Sequence, residues 1–233
     1  MSDIWWFTPW LPEEPGLDEL GDYCRFTNSE ELARTRLAAH ERAPSNFPTA
    51  RLQITLKTFA LDCFVWPAYA PGEGQQAFML VSQDLRDAMA LAPQDIEYLP
   101  VDASLSAPVP RAKNYMIMRV TVVENVFDPD QSDYEIRNIV GLPKNFISAT
   151  RIAARTDAKP AHEIFQDSFF PGIFCTDKFA VKLLQSRCSG VRFYDPAYFD
   201  SNPMYLRTVR GIEEETWDPV QEKFHTKLLQ AIP

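Results

Sequence analysis

Three histidines and four cysteines are the residues of this chain best suited to acid–base or nucleophilic chemistry, and their spacing argues against both. His40, His162 and His225 are scattered. His162-Glu163 lacks the second histidine four residues on that a helix-borne zinc site requires. Cys24, Cys63, Cys175 and Cys188 form no Cys-x-x-Cys pair, and a chain of 233 residues needs no disulfide staples. They read as reduced, buried, small hydrophobes, Cys63 in the apolar run Cys63 to Trp66 and Cys175 in a strand. No serine or cysteine stands in a Gly-x-Ser-x-Gly elbow, and Gly72-Glu73-Gly74 is too little for a phosphate loop. Asp128-Pro129-Asp130 offers paired carboxylates, but the central glycine and distal acid of a calcium loop are missing, so it reads as an acidic turn. The expectation is therefore no enzyme, no metal and no cofactor. The alternative is a small hydrolase or transferase whose site residues meet only in space, as Cys175 and His162 would.

Charge points instead to binding. The formal net charge is −9, and six of the acids, Asp3, Glu13, Glu14, Asp18, Glu19 and Asp22, precede the first Lys or Arg. An acidic surface repels phosphate backbones and speeds encounter with a cationic one, so a basic protein partner is expected and a nucleic acid is not. Glu13, Glu14, Asp18, Glu19 and Asp22 are the candidate contact residues, with Glu213, Glu214 and Glu215, read as a solvated loop, as a second patch. No apolar run approaches the ~18 residues of a membrane span. The start, Met1 to Trp6, has no basic n-region, and Pro9 and Pro12 interrupt its apolar run. No membrane partner is expected, and cytoplasmic residence is.

The elements that must present these residues are legible in the periodicity. Phe78 to Val81 is an apolar run leading to Ser82 as a helix cap; Leu85, Ala88 and Met89 form a helical stripe; Pro93 stops it; Ile96, Tyr98 and Leu99 form a strand ending at Pro100. The same order recurs in Ile173 to Cys175, the caps Thr176 or Asp177, the stripe Phe179, Ala180, Leu183 and Leu184, then Gly190 and the alternating Val191 to Tyr194. Aligning Ser82 on Thr176 superimposes Leu85 on Phe179 and Met89 on Leu183. This is either an internal repeat or the likeness that any two strand-helix-strand units share.

Elsewhere, Ile4 to Trp10 reads as an aromatic first strand, its tryptophans either core or interface anchors. Thr27-x-x-Glu30 has capping-box spacing and predicts a helix up to Pro44. Leu52, Ile54 and Leu56 alternate as a half-wet strand, and Tyr115 to Val123 is apolar on both faces, as in a central strand. Pro100 to Pro110 reads as a connector, Tyr134 to Val140 and Tyr205 to Ile212 as strands. Asp218-Pro219 followed by Val220, Phe224 and Leu228 predicts a final amphipathic helix.

Three of these stretches carry a resemblance. Phe78 to Met89 with Ile96 to Val101, then Asn114 to Tyr134, then His162 to Phe165 with Pro171 to Phe193, resemble in order the blocks of an immunity-protein family of bacterial polymorphic-toxin systems. The family's last block is matched by Ile164-Phe165, Ile173 to Cys175, Thr176-Asp177 and Gly190-Val191-Arg192-Phe193. Cys175-Thr176 stands where the family prefers Val-Ser, and the last ~35 residues exceed its usual length. The resemblance, over residues 77–195, implies a protein that binds and neutralises a cognate toxin. The fold expected is α+β, a mainly antiparallel sheet with two strand-helix-strand units at 78–99 and 173–194. One domain of 233 residues is expected, with an acidic and aromatic part at 1–76, the family-like core at 77–195, and a strand and helix at 196–233.

Overall fold

The structure is a computed structural model and describes residues 4–9, 24–28, 43, 45–54, 63–65, 78–91, 94–105, 114–137, 146–170, 172–186, 188, 191–198, 205–209, 212–218 and 223–228. The chain runs β1 (Ile4–Pro9), β2 (Cys24–Phe26), β3 (Ala50–Ile54), β4 (Cys63–Val65), β5 (Phe78–Ser82), α1 (Gln83–Met89), β6 (Ile96–Leu105), β7 (Tyr115–Val120) and β8 (Val123–Glu124). It continues through β9 (Asp133–Arg137), β10 (Phe146–Arg151), β11 (Ile164–Asp167), β12 (Ile173–Thr176), α2 (Asp177–Ser186), β13 (Val191–Tyr194), β14 (Tyr205–Val209), β15 (Ile212–Asp218) and β16 (Lys223–Leu228). The class is α+β. Among the described residues only β3 with β6 and β8 with β11 pair in parallel; the other strand pairs are antiparallel.

Both α1 and α2 (Asp177–Ser186) start where the sequence supplies a hydroxyl to an orphan backbone donor. Ser82 Oγ accepts the Leu85 N–H at 3.1 Å, and Thr176 Oγ1 accepts the Phe179 N–H at 3.4 Å. The apolar stripes are buried: Leu85 and Met89 on α1, Phe179, Ala180 and Leu183 on α2. The α1 helix ends on Ala90, a non-glycine residue in the left-handed region at φ 45°. Lys182 of α2 donates to the Met89 carbonyl at 2.5 Å, which ties the two helices together.

In each strand-helix-strand unit the two strands are not neighbours. One sheet has the order β2-β3-β6-β7-β5-β4, so β7 lies between β5 and β6 and is antiparallel to both. The other has the order β16-β15-β14-β13-β1-β12-β11-β8, so β1 lies in the same way between β12 and β13. Both crossovers therefore join parallel strands separated by an inserted third. The two sheets share one core, in which Met79, Val81, Met118 and Val120 of the first meet Trp5, Phe7, Ile173, Cys175, Val191 and Phe193 of the second, with both helices. A second cluster of Ile4, Phe127, Phe165, Phe170 and Phe174 fills the opposite face of the β1 sheet, where the β9–β10 hairpin covers it with Tyr134, Ile147 and Ala149.

Three readings of the sequence are corrected. The strand expected to end at Pro100 runs on to Leu105, and Pro100 sits where β6 changes partner, from β7 up to Pro100 to β3 from Val101. A residue without an N–H is tolerated there because the ladder is interrupted at that point anyway. The predicted C-terminal helix is strand β16, paired in register with β15. A spacing of four residues between Phe224 and Leu228 satisfies a period of two as well as one of 3.6, and the β15 partner selects the strand. Glu213, Glu214 and Glu215, read as a loop, lie within β15. Thr27 and Asn28 form a turn in which Thr27 N–H donates to the Arg51 carbonyl at 2.8 Å; the rest of the predicted helix up to Pro44 falls almost wholly outside the described residues.

Candidate functional site

The densest buried polar chemistry among the described residues lies where the chain passes from one sheet into the other. Strand β7 belongs to the first sheet; two residues later β8 belongs to the second, paired with β11. Gln166 of β11 spans the step, its side-chain amide donating to the Val120 carbonyl at 2.6 Å and its backbone N–H to the Val122 carbonyl at 2.8 Å. Next to it Asp167, also buried, accepts four backbone N–H groups. Its Oδ2 receives Val126 and Phe127 at 3.0 and 3.2 Å, and its Oδ1 receives Phe169 and Phe170 at 2.8 and 3.0 Å. A carboxylate so saturated is a clamp on two loops and has no lone pair left for a substrate.

Beside this seam sits His162. Its Nδ1 is 2.8 Å from Glu124 Oε1 and its Nε2 is 3.9 Å from Asp95 Oδ1. Glu124, on β8, also accepts the backbone N–H groups of Ala161 and His162 at 3.1 and 3.0 Å. Asp95 comes from the turn before β6, and its carbonyl accepts the Thr121 N–H at 2.9 Å while Thr121 Oγ1 donates to the Gln94 carbonyl at 3.0 Å. The cluster thus joins the first sheet, β8 and the loop before β11. The neighbouring Glu163 pairs with Lys178 of α2 at 2.8 Å, which raises the lysine's pKa.

A histidine held between carboxylates resembles part of a proton relay, but its hydrogen bonds go to Glu124, whose oxygens already hold the loop. Cys175, the sequence-level candidate nucleophile, is buried in β12, in register with Trp5 and Ile164. Burial, reinforced by Asp177, pushes its thiol well above the ordinary range. It is therefore a thiol and not a thiolate at neutral pH. Cys63 and Cys188 are also buried. The Asp128 turn is likewise self-contained: its carboxylate accepts Asp130 N–H and the Gln131 amide, both at 3.0 Å, capping a short 3-10 turn.

Glu13, Glu14, Asp18, Glu19 and Asp22 lie outside the described residues. The second acidic run is placed by its backbone: Glu214 is in register with Arg207 on β14 and Lys227 on β16, so its strand neighbours carry opposite charge. The structure brings together what sequence spacing did not, Asp95, Glu124 and His162 from three segments. Only the His162-Glu163 pair had drawn notice, and for a zinc motif it does not complete.

The sequence profile of the Immunity protein family (Imm11) matches residues 23–197, about three quarters of the chain. This chain belongs to that family. The matched stretch contains α1 and α2, the seam between the sheets and β2 through β13; it excludes β1 and β14 to β16. All eight candidate contact acids fall outside it. Among curated proteins no match was found. In the Imm11 chain no helix among the described residues is long and apolar enough to cross a membrane.

Proposed function

We propose that this chain is the immunity protein of a bacterial polymorphic-toxin system and neutralises a cognate toxin by binding it and covering its active or binding surface. Membership of the Imm11 family over residues 23–197 carries this reading. In this reading the protein is a binder and not an enzyme, works in the cytoplasm of the producing cell during competition between bacteria, and uses its 233 residues as one domain. The toxin presents a basic surface, which the net charge of −9 favours, and neither nucleic acid nor membrane is a partner.

The contact residues proposed are Glu13, Glu14, Asp18, Glu19 and Asp22, with Glu213, Glu214 and Glu215 as the second patch. Their position outside the family-matched stretch supports this reading, because residues that distinguish one toxin from another need not belong to the shared scaffold. The test is association of the purified chain with the product of a neighbouring gene that carries a toxin domain, where one is found, measured by biolayer interferometry. A complex whose on-rate falls with added salt, and falls further when Glu13, Glu14, Asp18 and Glu19 are reversed to lysine, is expected. Association unchanged by that reversal would remove the acidic patch from the interface, and no association at all would remove the function.

A further inference from the structure

We propose that His162 is a proton-binding clasp across the seam of the two sheets, holding Asp95 of one to Glu124 of the other when its ring is doubly protonated. The geometry carries the inference. A carboxylate only accepts hydrogen bonds, so His162 Nδ1, 2.8 Å from Glu124 Oε1, is the ring's donor in its neutral form. The neutral ring then turns the lone pair of Nε2 toward Asp95 Oδ1, 3.9 Å away.

Two acceptors face each other across that gap, and the Asp95 oxygen is a buried atom with no hydrogen-bond partner, on a residue only 9% exposed. A buried acceptor left unpaired is costly. A proton on Nε2 converts the opposed acceptors into an ion pair and leaves the Glu124 bond in place. The charged groups around the ring are Asp95 from the turn before β6 and Glu124 from β8. Glu163, next in the chain, is already paired with Lys178 of α2. The ring is 39% exposed on its side chain, so protons reach it from solvent without unfolding.

The sign follows. The proton binds the folded arrangement, so the clasp contributes stability at low pH and loses it as pH rises.

The test is urea denaturation of the full chain, wild type, His162→Gln and Asp95→Asn, at about pH 5.5 and about pH 8, on either side of imidazole's usual range. The unfolding-constant penalty of His162→Gln should be larger at the lower pH by about two- to fivefold, the scale of a partly exposed ion pair. Placing the same substitution in an Asp95→Asn background should shrink the pH dependence of its penalty to the part that the Glu124 contact at 2.8 Å supplies. If His162→Gln does not fold, Asp95→Asn alone serves. It should be less stable than wild type at the lower pH and recover, relative to wild type, at the higher one. Penalties that do not change with pH in either variant would overturn the clasp.

Discussion

The two strand-helix-strand units are built alike and completed differently. In the first, the strand inserted between β5 and β6 is β7, drawn from the chain that follows; the whole unit lies within Phe78–Val120. In the second, the strand inserted between β12 and β13 is β1, from the opposite end of the chain, with residues 10–172 intervening. The residues at the middle of each insertion differ accordingly. Met118 is in register with Met79 and Tyr98, whereas Phe7 is in register with Ile173 and Phe193. Phe7 stacks on Phe193 with ring centroids 5.5 Å apart and meets Phe179 of α2 edge-on at 6.4 Å. A flexible thioether suffices where the strand is local, while the strand that must close a long loop carries rigid aromatic area. Trp5 adds a directional bond, its indole N–H donating to Asp177 Oδ1 at the start of α2 at 2.9 Å.

The largest effect should come from removing β1. A chain lacking residues 1–9 leaves the slot between β12 and β13 open and exposes both clusters, so it should show no cooperative unfolding transition by circular dichroism. Phe7→Ala, the milder form, should cost about 3–5 kcal/mol in urea denaturation. A truncated chain that unfolds like the full one would break the comparison.

Next come the helix stripes. Phe179→Ala and Leu85→Ala each remove a fully buried side chain at corresponding positions of α2 and α1. The expected costs are about 3–5 and about 2–5 kcal/mol respectively. Because Phe179 also touches Phe7, the Phe179→Ala and Phe7→Ala penalties should be non-additive in a double-mutant cycle. Additive penalties would mean that β1 and α2 do not work as one unit.

The caps sharpen the contrast at lower energy. Ser82→Ala should cost about 1 kcal/mol, and Thr176→Ala less, because its bond is longer. Equal costs would show that hydrogen-bond length does not separate the two caps.

An effect confined to alkaline pH concerns Tyr98, on the first unit. Burial raises its phenol to about 12, against the lowering influence of Arg86 and with a small raising one from Asp87. Its hydroxyl is buried without a hydrogen-bond partner, and the Arg86 guanidinium lies 5.5 Å over its ring. A phenol harder to ionise folded than unfolded contributes stability below pH ~10 that is lost as pH rises toward ~12. Tyr98→Phe should flatten that alkaline limb of a stability-versus-pH curve, and an unchanged limb would assign it elsewhere.

The local grammar of both units was legible in the sequence because cap, stripe and strand each lie within a few residues. Leu85, Met89, Phe179, Leu183 and Phe193, all expected in the core, are buried. What periodicity cannot carry is which strand enters between which. Nothing in Ile4 to Pro9 names Ile173 and Val191 as neighbours, and Pro100 looks like an end because the change of partner that accommodates it is non-local. The polar seam was hidden for the same reason. Asp95, Glu124 and His162 are ordinary residues until the two sheets meet. The C-terminal strand was misread because Phe224 and Leu228 fit both periods, and only pairing with β15 separates them.

The central functional claim, that the chain neutralises a toxin by binding it, is tested most directly by titrating the purified, folded protein into the toxin domain of a candidate cognate toxin. Residual toxin activity should fall linearly and reach zero at one equivalent of this chain. Toxin that stays fully active in the presence of excess folded protein would contradict the account.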